Sequence, residues 1–138
     1  MDTESGTDYI SALKVKVNSV KDIKETCQAI LAANKPYKYI TVDTITSLEE
    51  MVKPLALSLY QASPVFSDKY ADLKDVTHLP SGQGYMWTRL AMDKVLEMIS
   101  KCAPNIILCG HVKDAALNEN LEGTVKDLDL VGNRIVAD

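Results

Sequence analysis

Apolar positions recur along this chain at two different periods. Val20, Ile23, Cys27, Ile30 and Leu31 fall at helical spacing while Lys21, Asp22, Lys24 and Glu25 fall elsewhere, which predicts an amphipathic helix over 20–33. Ser19 stands as its N-cap, with Asp22 three residues on to reach back in a capping box, and Asn34, Lys35 and Pro36 stop it. Before it, Leu13, Val15 and Val17 alternate with Lys14 and Lys16, the pattern of a short strand with one wet face. Residues 39–42 are an apolar, β-branched run ended by Asp43, and a helical pattern over 47–60 follows directly. Pro54 lies inside that pattern and removes a backbone donor, which predicts a kink or a break.

Residues 61–84 hold Pro64, Pro80, Gly82 and Gly84 with little periodicity and read as a long irregular excursion. Helical spacing returns over 85–102, where Trp87, Leu90, Ala91, Val95, Met98, Ile99 and Cys102 share one side. Ile106, Ile107, Leu108 and Cys109 then form a second apolar run closing in Gly110 and His111, the signature of a strand buried on both faces of a parallel sheet. The tail over 124–138 suggests a hairpin with a three-residue connection at Val131, Gly132 and Asn133. Strands alternating with amphipathic helices indicate an α/β domain with a mainly parallel sheet and an added C-terminal β-hairpin.

Composition narrows the classes. At 138 residues the chain suits one domain, and 46% hydrophobic with 25% charged residues excludes wholesale disorder. A net charge of −4 argues against a dedicated nucleic-acid binder unless a local patch serves; Lys14, Lys16, Lys21, Lys24, Lys35 and Lys38 could form such a patch, though charges of this kind are mostly the solvated faces of a strand and a helix. No apolar stretch approaches the ~20 residues of a membrane span. The acidic start at Asp2, Glu4 and Asp8 is unlike a signal peptide. Three cysteines, Cys27, Cys102 and Cys109, without metal-ligand spacing, fit reduced thiols in the cytoplasm.

In parallel sheets ligands bind at the carboxyl ends of the strands, so the residues just past the apolar runs are the ones with chemical potential. These are Asp2 and Glu4, Asp43 with Thr44, and His111. An apolar strand delivering an Asp to that edge is the Walker B arrangement, in which a carboxylate holds magnesium-bound water beside nucleotide phosphates. An Asp in that position can equally cap the next helix. A metal site of Asp43, His78 and His111 has no supporting spacing, and Cys109 in a buried strand is a poor nucleophile. Trp87 and Met98 at helical spacing read as core.

In order, Met1-Asp2-Thr3-Glu4-Ser5-Gly6, then the stretch from Tyr39 through Asp43-Thr44 to Leu48, then Ile106-Ile107-Leu108-Cys109-Gly110-His111-Val112-Lys113 resembles the RecA-like P-loop ATPases, particularly phage nucleotide-binding proteins of single-strand-annealing recombination. Asp127-Leu128-Asp129-Leu130-Val131-Gly132 is similar to the segment after that family's sensor strand. The resemblance implies a three-layer RecA-like core that binds ATP and Mg²⁺. It implies Glu4 as the catalytic glutamate, Asp43 as the Walker B carboxylate holding Mg²⁺ through water, and Thr44 as the hydroxyl beside it. It implies His111 as the polar group that senses the γ-phosphate, with single-stranded DNA as a candidate partner.

The chain departs from the family in one respect. No pair of its glycines forms the Gly-x-x-x-x-Gly-Lys-Ser/Thr pattern whose backbone N–H groups and lysine cradle phosphates. The match begins at the family's second strand, so the expectation is a core truncated at its N-terminus, weak or absent ATP binding by this chain alone, and self-association through open sheet edges. The alternative is a non-catalytic interaction or assembly module with the same fold.

Overall fold

The computed structural model describes residues 1, 3, 13–116, 124–130 and 133–136. Helix α1 (Val20–Ala32) starts where the sequence places it, the Ser19 hydroxyl accepting from the Asp22 N–H at 3.2 Å. The return contact reaches one residue further back than expected. The Asp22 carboxylate accepts from the Asn18 N–H at 2.9 Å, and that bond is the main reason its pKa is held below the ordinary carboxylate value. Asn34 and Lys35 both take positive φ (60° and 54°), which turns the chain out of α1 toward β1 (Tyr39–Asp43).

Helix α2 (Ile45–Gln61) runs through Pro54 as one helix, so of the expected kink or break the break does not occur. Val52, Ala56 and Tyr60 are buried on either side of the proline and hold both halves against one core. Pro54 itself is exposed, so the acceptor it leaves unbonded can face water. Helix α3 (Gln83–Ser100) packs on α2 and is followed by β2 (Asn105–Cys109). β1 and β2 pair in parallel with Tyr39 opposite Asn105 and Asp43 opposite Cys109. On the other side of β1, the Asp43 N–H donates to the Met1 carbonyl (3.0 Å) and the Thr3 N–H donates to the Asp43 carbonyl (2.6 Å), the bonding pattern of a further parallel strand.

Among the described residues the result is a mixed α/β domain with three α-helices and a two-stranded parallel sheet. Ile40 and Val42 point into a core shared with all three helices, whereas Tyr39 and Thr41, on the opposite face, are exposed. The chain between the excursion's two ends is tightly built. Short 3₁₀ turns at Asp68–Tyr70, Val76–His78 and Pro80–Gly82 fold it over α2 and α3, burying Val76 and Leu79. Asp75 caps the second turn, accepting from the Thr77 hydroxyl (2.7 Å) and N–H (2.9 Å), and these bonds hold its carboxyl below its usual pKa.

Three expectations are corrected. Leu13 to Val17 form no strand: the segment carries a single bridge at Lys16, Leu13 is 76% exposed and only Val17 enters the core. β2 is not buried on both faces, since Ile107 and Leu108 are 48% and 38% exposed. The tail hairpin of β4 (Thr124–Leu130) and β5 (Asn133–Val136) pairs Leu130 with Asn133, leaving a two-residue connection instead of three. That connection lies outside the described residues. An unanticipated β3 (Val112–Ala116) pairs antiparallel with β4, making the hairpin a three-stranded sheet.

Candidate nucleotide site

Asp43 is the last residue of β1, partly buried, with both its backbone N–H and its carbonyl engaged by Met1 and Thr3. It does not cap the helix that follows. The Thr44 hydroxyl does so, accepting from the Ser47 N–H at 3.3 Å. Thr44, only 6% exposed, is itself fixed by Thr3, whose hydroxyl donates to the Asp43 carbonyl (2.7 Å) and accepts from the Thr44 N–H (2.6 Å). The peptide bond between Asp43 and Thr44 is cis. Sequence reasoning passed over Thr3. The available signal was its place between Asp2 and Glu4, in a segment already aligned to the same sheet edge as Asp43.

Dividing the labour this way separates structure from chemistry, and a pair of substitutions reads it out. Thr44→Ala is expected to lower unfolding free energy by about 1 kcal/mol through the lost cap. Asp43→Ala is expected to stay within about 0.5 kcal/mol of the parent. Urea midpoints in the reverse order would show that Asp43 is the structural residue of the two.

β1 also borders a cleft of about 580 Å³ between α1 and the 13–15 segment. Its walls include Ala29, Ile30, Tyr37 and Tyr39, with Thr41 and Asp43 following along β1. The volume is of the order that holds a small organic ligand. His111 is exposed and lies two residues past Cys109, the register partner of Asp43, so the topology brings both to the same end of the parallel pair. Glu4 lies outside the described residues.

A strand-end carboxylate that is not spent on a cap and borders open space suits a hydrated magnesium ion. The triphosphate of a nucleotide is a different matter. No glycine-rich turn with a following lysine occurs in the sequence, and α2 opens on a threonine cap rather than on such a loop. Among the described residues no group of three or more His, Cys, Asp or Glu side chains gathers around a metal position. The residues present therefore fit the metal-water side of a magnesium nucleotide and do not fit its phosphates. Cys27 and Cys102 are buried against each other, and burial pushes Cys27 up to about 12, which makes it a poor nucleophile. No helix among the described residues is long and apolar enough to cross a membrane.

Comparison with known proteins agrees with the direction of this geometry. Searches of curated proteins and of solved structures returned no match. A family profile described as AAA domain matches residues 1–128, nearly the whole chain and all of the segments that build the strand-end site. The chain belongs to this AAA domain family, whose members are ATPase-like nucleotide-binding proteins.

Proposed function

We propose that this chain is the Walker B and sensor half of an ATP-binding core of the phage single-strand-annealing recombination type, built on a RecA-like three-layer plan. Asp43 holds magnesium through water, Thr44 stands beside it as the hydroxyl residue, Glu4 is the carboxylate that polarises the attacking water, and His111 reads the γ-phosphate. The observation that carries the reading is Asp43: it ends a parallel strand, borders a cleft, and leaves helix capping to Thr44. Single-stranded DNA is the candidate partner that such a nucleotide core would serve.

Because the phosphates lack a cradle within these residues, magnesium-ATP affinity is expected in the millimolar range or weaker, on the order of 4 kcal/mol of binding free energy or less. Calorimetric titration of magnesium-ATP into the chain should show no saturation at micromolar concentrations. Titration with manganese-ATP, followed by amide line broadening, should nevertheless broaden Asp43 and Thr44 first, and Asp43→Asn should abolish the effect. Micromolar binding, or broadening that spares Asp43, would sink the reading.

A second reading, a non-catalytic assembly module on the same fold, is favoured by one observation: the apolar side chains left exposed on β2. Unchanged assembly in Asp43→Asn together with absent nucleotide response in the parent would select it.

A further inference from the structure

Cys27 and Cys102 stand 75 positions apart in sequence and meet in the core. Cys27 lies in the middle of α1, one turn beyond Ile23, and the helical period carries both side chains to the buried face. Cys102 stands just past the end of α3, in the turn that leads into β2. Its N–H donates to the Ile99 carbonyl at 3.0 Å, and its Sγ lies 3.6 Å from the Met98 carbonyl oxygen and 3.7 Å from the Cys27 carbonyl oxygen. The two thiols are themselves within hydrogen-bonding reach of each other. Cys27 is 1% exposed and Cys102 0%. Cys109 stands apart, at the end of β2 opposite Asp43, and among the described residues no third His, Cys, Asp or Glu completes a metal set around the pair. Packing alone asks only for two small apolar side chains at these places, whereas two sulfurs in contact add the capacity for a covalent bond.

We propose that Cys27 and Cys102 are a modification site, at which hydrogen peroxide oxidises the folded protein to a disulfide that ties α1 to the turn between α3 and β2. Neither sulfur presents surface to a bulky disulfide such as oxidised glutathione. Peroxide is little larger than water and enters with a local opening of the turn, whose Lys101 is exposed. Burial holds the Cys27 thiol protonated, pushed up to about 12, so Cys102 is the sulfur oxidised first. It attacks one peroxide oxygen and the O–O bond breaks. The leaving hydroxide takes the thiol proton, and the products are Cys102 sulfenic acid and water. The Cys27 sulfur then displaces the sulfenic hydroxyl, which leaves with the Cys27 proton as a second water. In sum the two thiols lose two electrons, peroxide gains them, and one disulfide and two waters result. Contact imposed by the fold makes the second step effectively unimolecular, which offsets the poor nucleophilicity of Cys27. This inference stands apart from the nucleotide reading, which neither requires it nor fails with it.

The test uses native protein carrying Cys109→Ser, so that only the pair remains, treated with hydrogen peroxide, quenched, unfolded, alkylated and weighed. The expected product is lighter than the reduced chain by two hydrogens, takes up no alkyl group, and yields a cross-linked peptide of Cys27 with Cys102. A disulfide across so long a loop constrains the unfolded chain, so the unfolding equilibrium constant should fall about a hundredfold or more. Dithiothreitol should return the urea midpoint to that of the reduced protein. In Cys102→Ala, peroxide should leave the midpoint unchanged and Cys27 free to be alkylated; a sulfenic or sulfinic Cys27 there overturns the assigned order of oxidation. A disulfide that forms only in urea overturns the proposal, since it would report chance meeting in the unfolded chain. Sulfinic acid on either cysteine without a cross-link overturns it as well, as does a cross-link that lowers the urea midpoint. Both would mean that the sulfurs pack side by side without the geometry of a bond.

Discussion

Gly84→Ala is expected to destabilise the protein by about 2–3 kcal/mol, although alanine is the better helix former by about 1 kcal/mol. Gly84 is buried in the first turn of α3, where the 3₁₀ turn of Val76–His78 crosses it. A Cβ added there would stand 2.3 Å from the Val76 carbonyl oxygen and 2.8 Å from the Thr77 Cα. Both are backbone atoms, so no side chain can swing aside, and the turn must lift away from the helix. Lifting it exposes Val76, which is fully buried, and disturbs the Asp75 cap on Thr77. Gly82→Ala is the control. Gly82 has φ +72° but open space around it, its nearest atom being Tyr85 Cδ2 at 3.9 Å. There only the left-handed backbone penalty of about 1–2 kcal/mol applies. Urea midpoints should therefore fall for both variants, further for Gly84→Ala. Equal falls would mean that the turn yields without cost and that the crossing does not fix the excursion.

The elements legible in the sequence were those whose burial is set by near neighbours. The apolar stripe of α1, the run of β1 and the face of α3 each carry a period that local geometry turns directly into a buried side. Misreadings arose where a distant partner decides. Leu13, Val15 and Val17 alternate like a strand, yet of the three only Val17 is covered by the core, and cover depends on segments far away in sequence. β2 reads as doubly buried because its composition suits that place, whereas Ile107 and Leu108 stay exposed. Pro54 broke the local rule without breaking α2, since the cost of one lost hydrogen bond is smaller than the burial of Val52, Ala56 and Tyr60 on both sides of it.

Site legibility followed the same division. Strand-end positions of Asp43, Thr44 and His111 could be read because a parallel pair with matched register delivers them to one end. Which of Asp43 and Thr44 would cap α2 could not be read, as both are good capping residues and their choice depends on where Thr3 sits, some forty positions away in sequence. The cleft beside β1 was equally invisible, since it lies between segments that only the tertiary fold brings together.

The other large effect is expected at Tyr60, which joins the excursion to the two helices it covers. Among the described residues its side chain is the largest of the fully buried ones. The ring meets Phe66 and Trp87 edge-on at 5.6 and 5.9 Å, and its hydroxyl oxygen accepts from the Ser67 N–H at 3.1 Å. Tyr60→Ala should cost about 4 kcal/mol, from lost burial and the cavity left between α2 and α3. Tyr60→Phe keeps the ring and removes only the acceptor, for about 1 kcal/mol. The chain has one tryptophan, so its fluorescence reports this cluster directly. Trp87 is 8% exposed and its indole N–H finds no acceptor among the described residues. Water entering the Tyr60→Ala cavity would supply one, and native-state emission should shift to the red, while Tyr60→Phe should leave it in place. A large stability loss in Tyr60→Ala without that shift would place the damage at the Phe66 side and mean that α3 repacks onto α2 without help from the excursion.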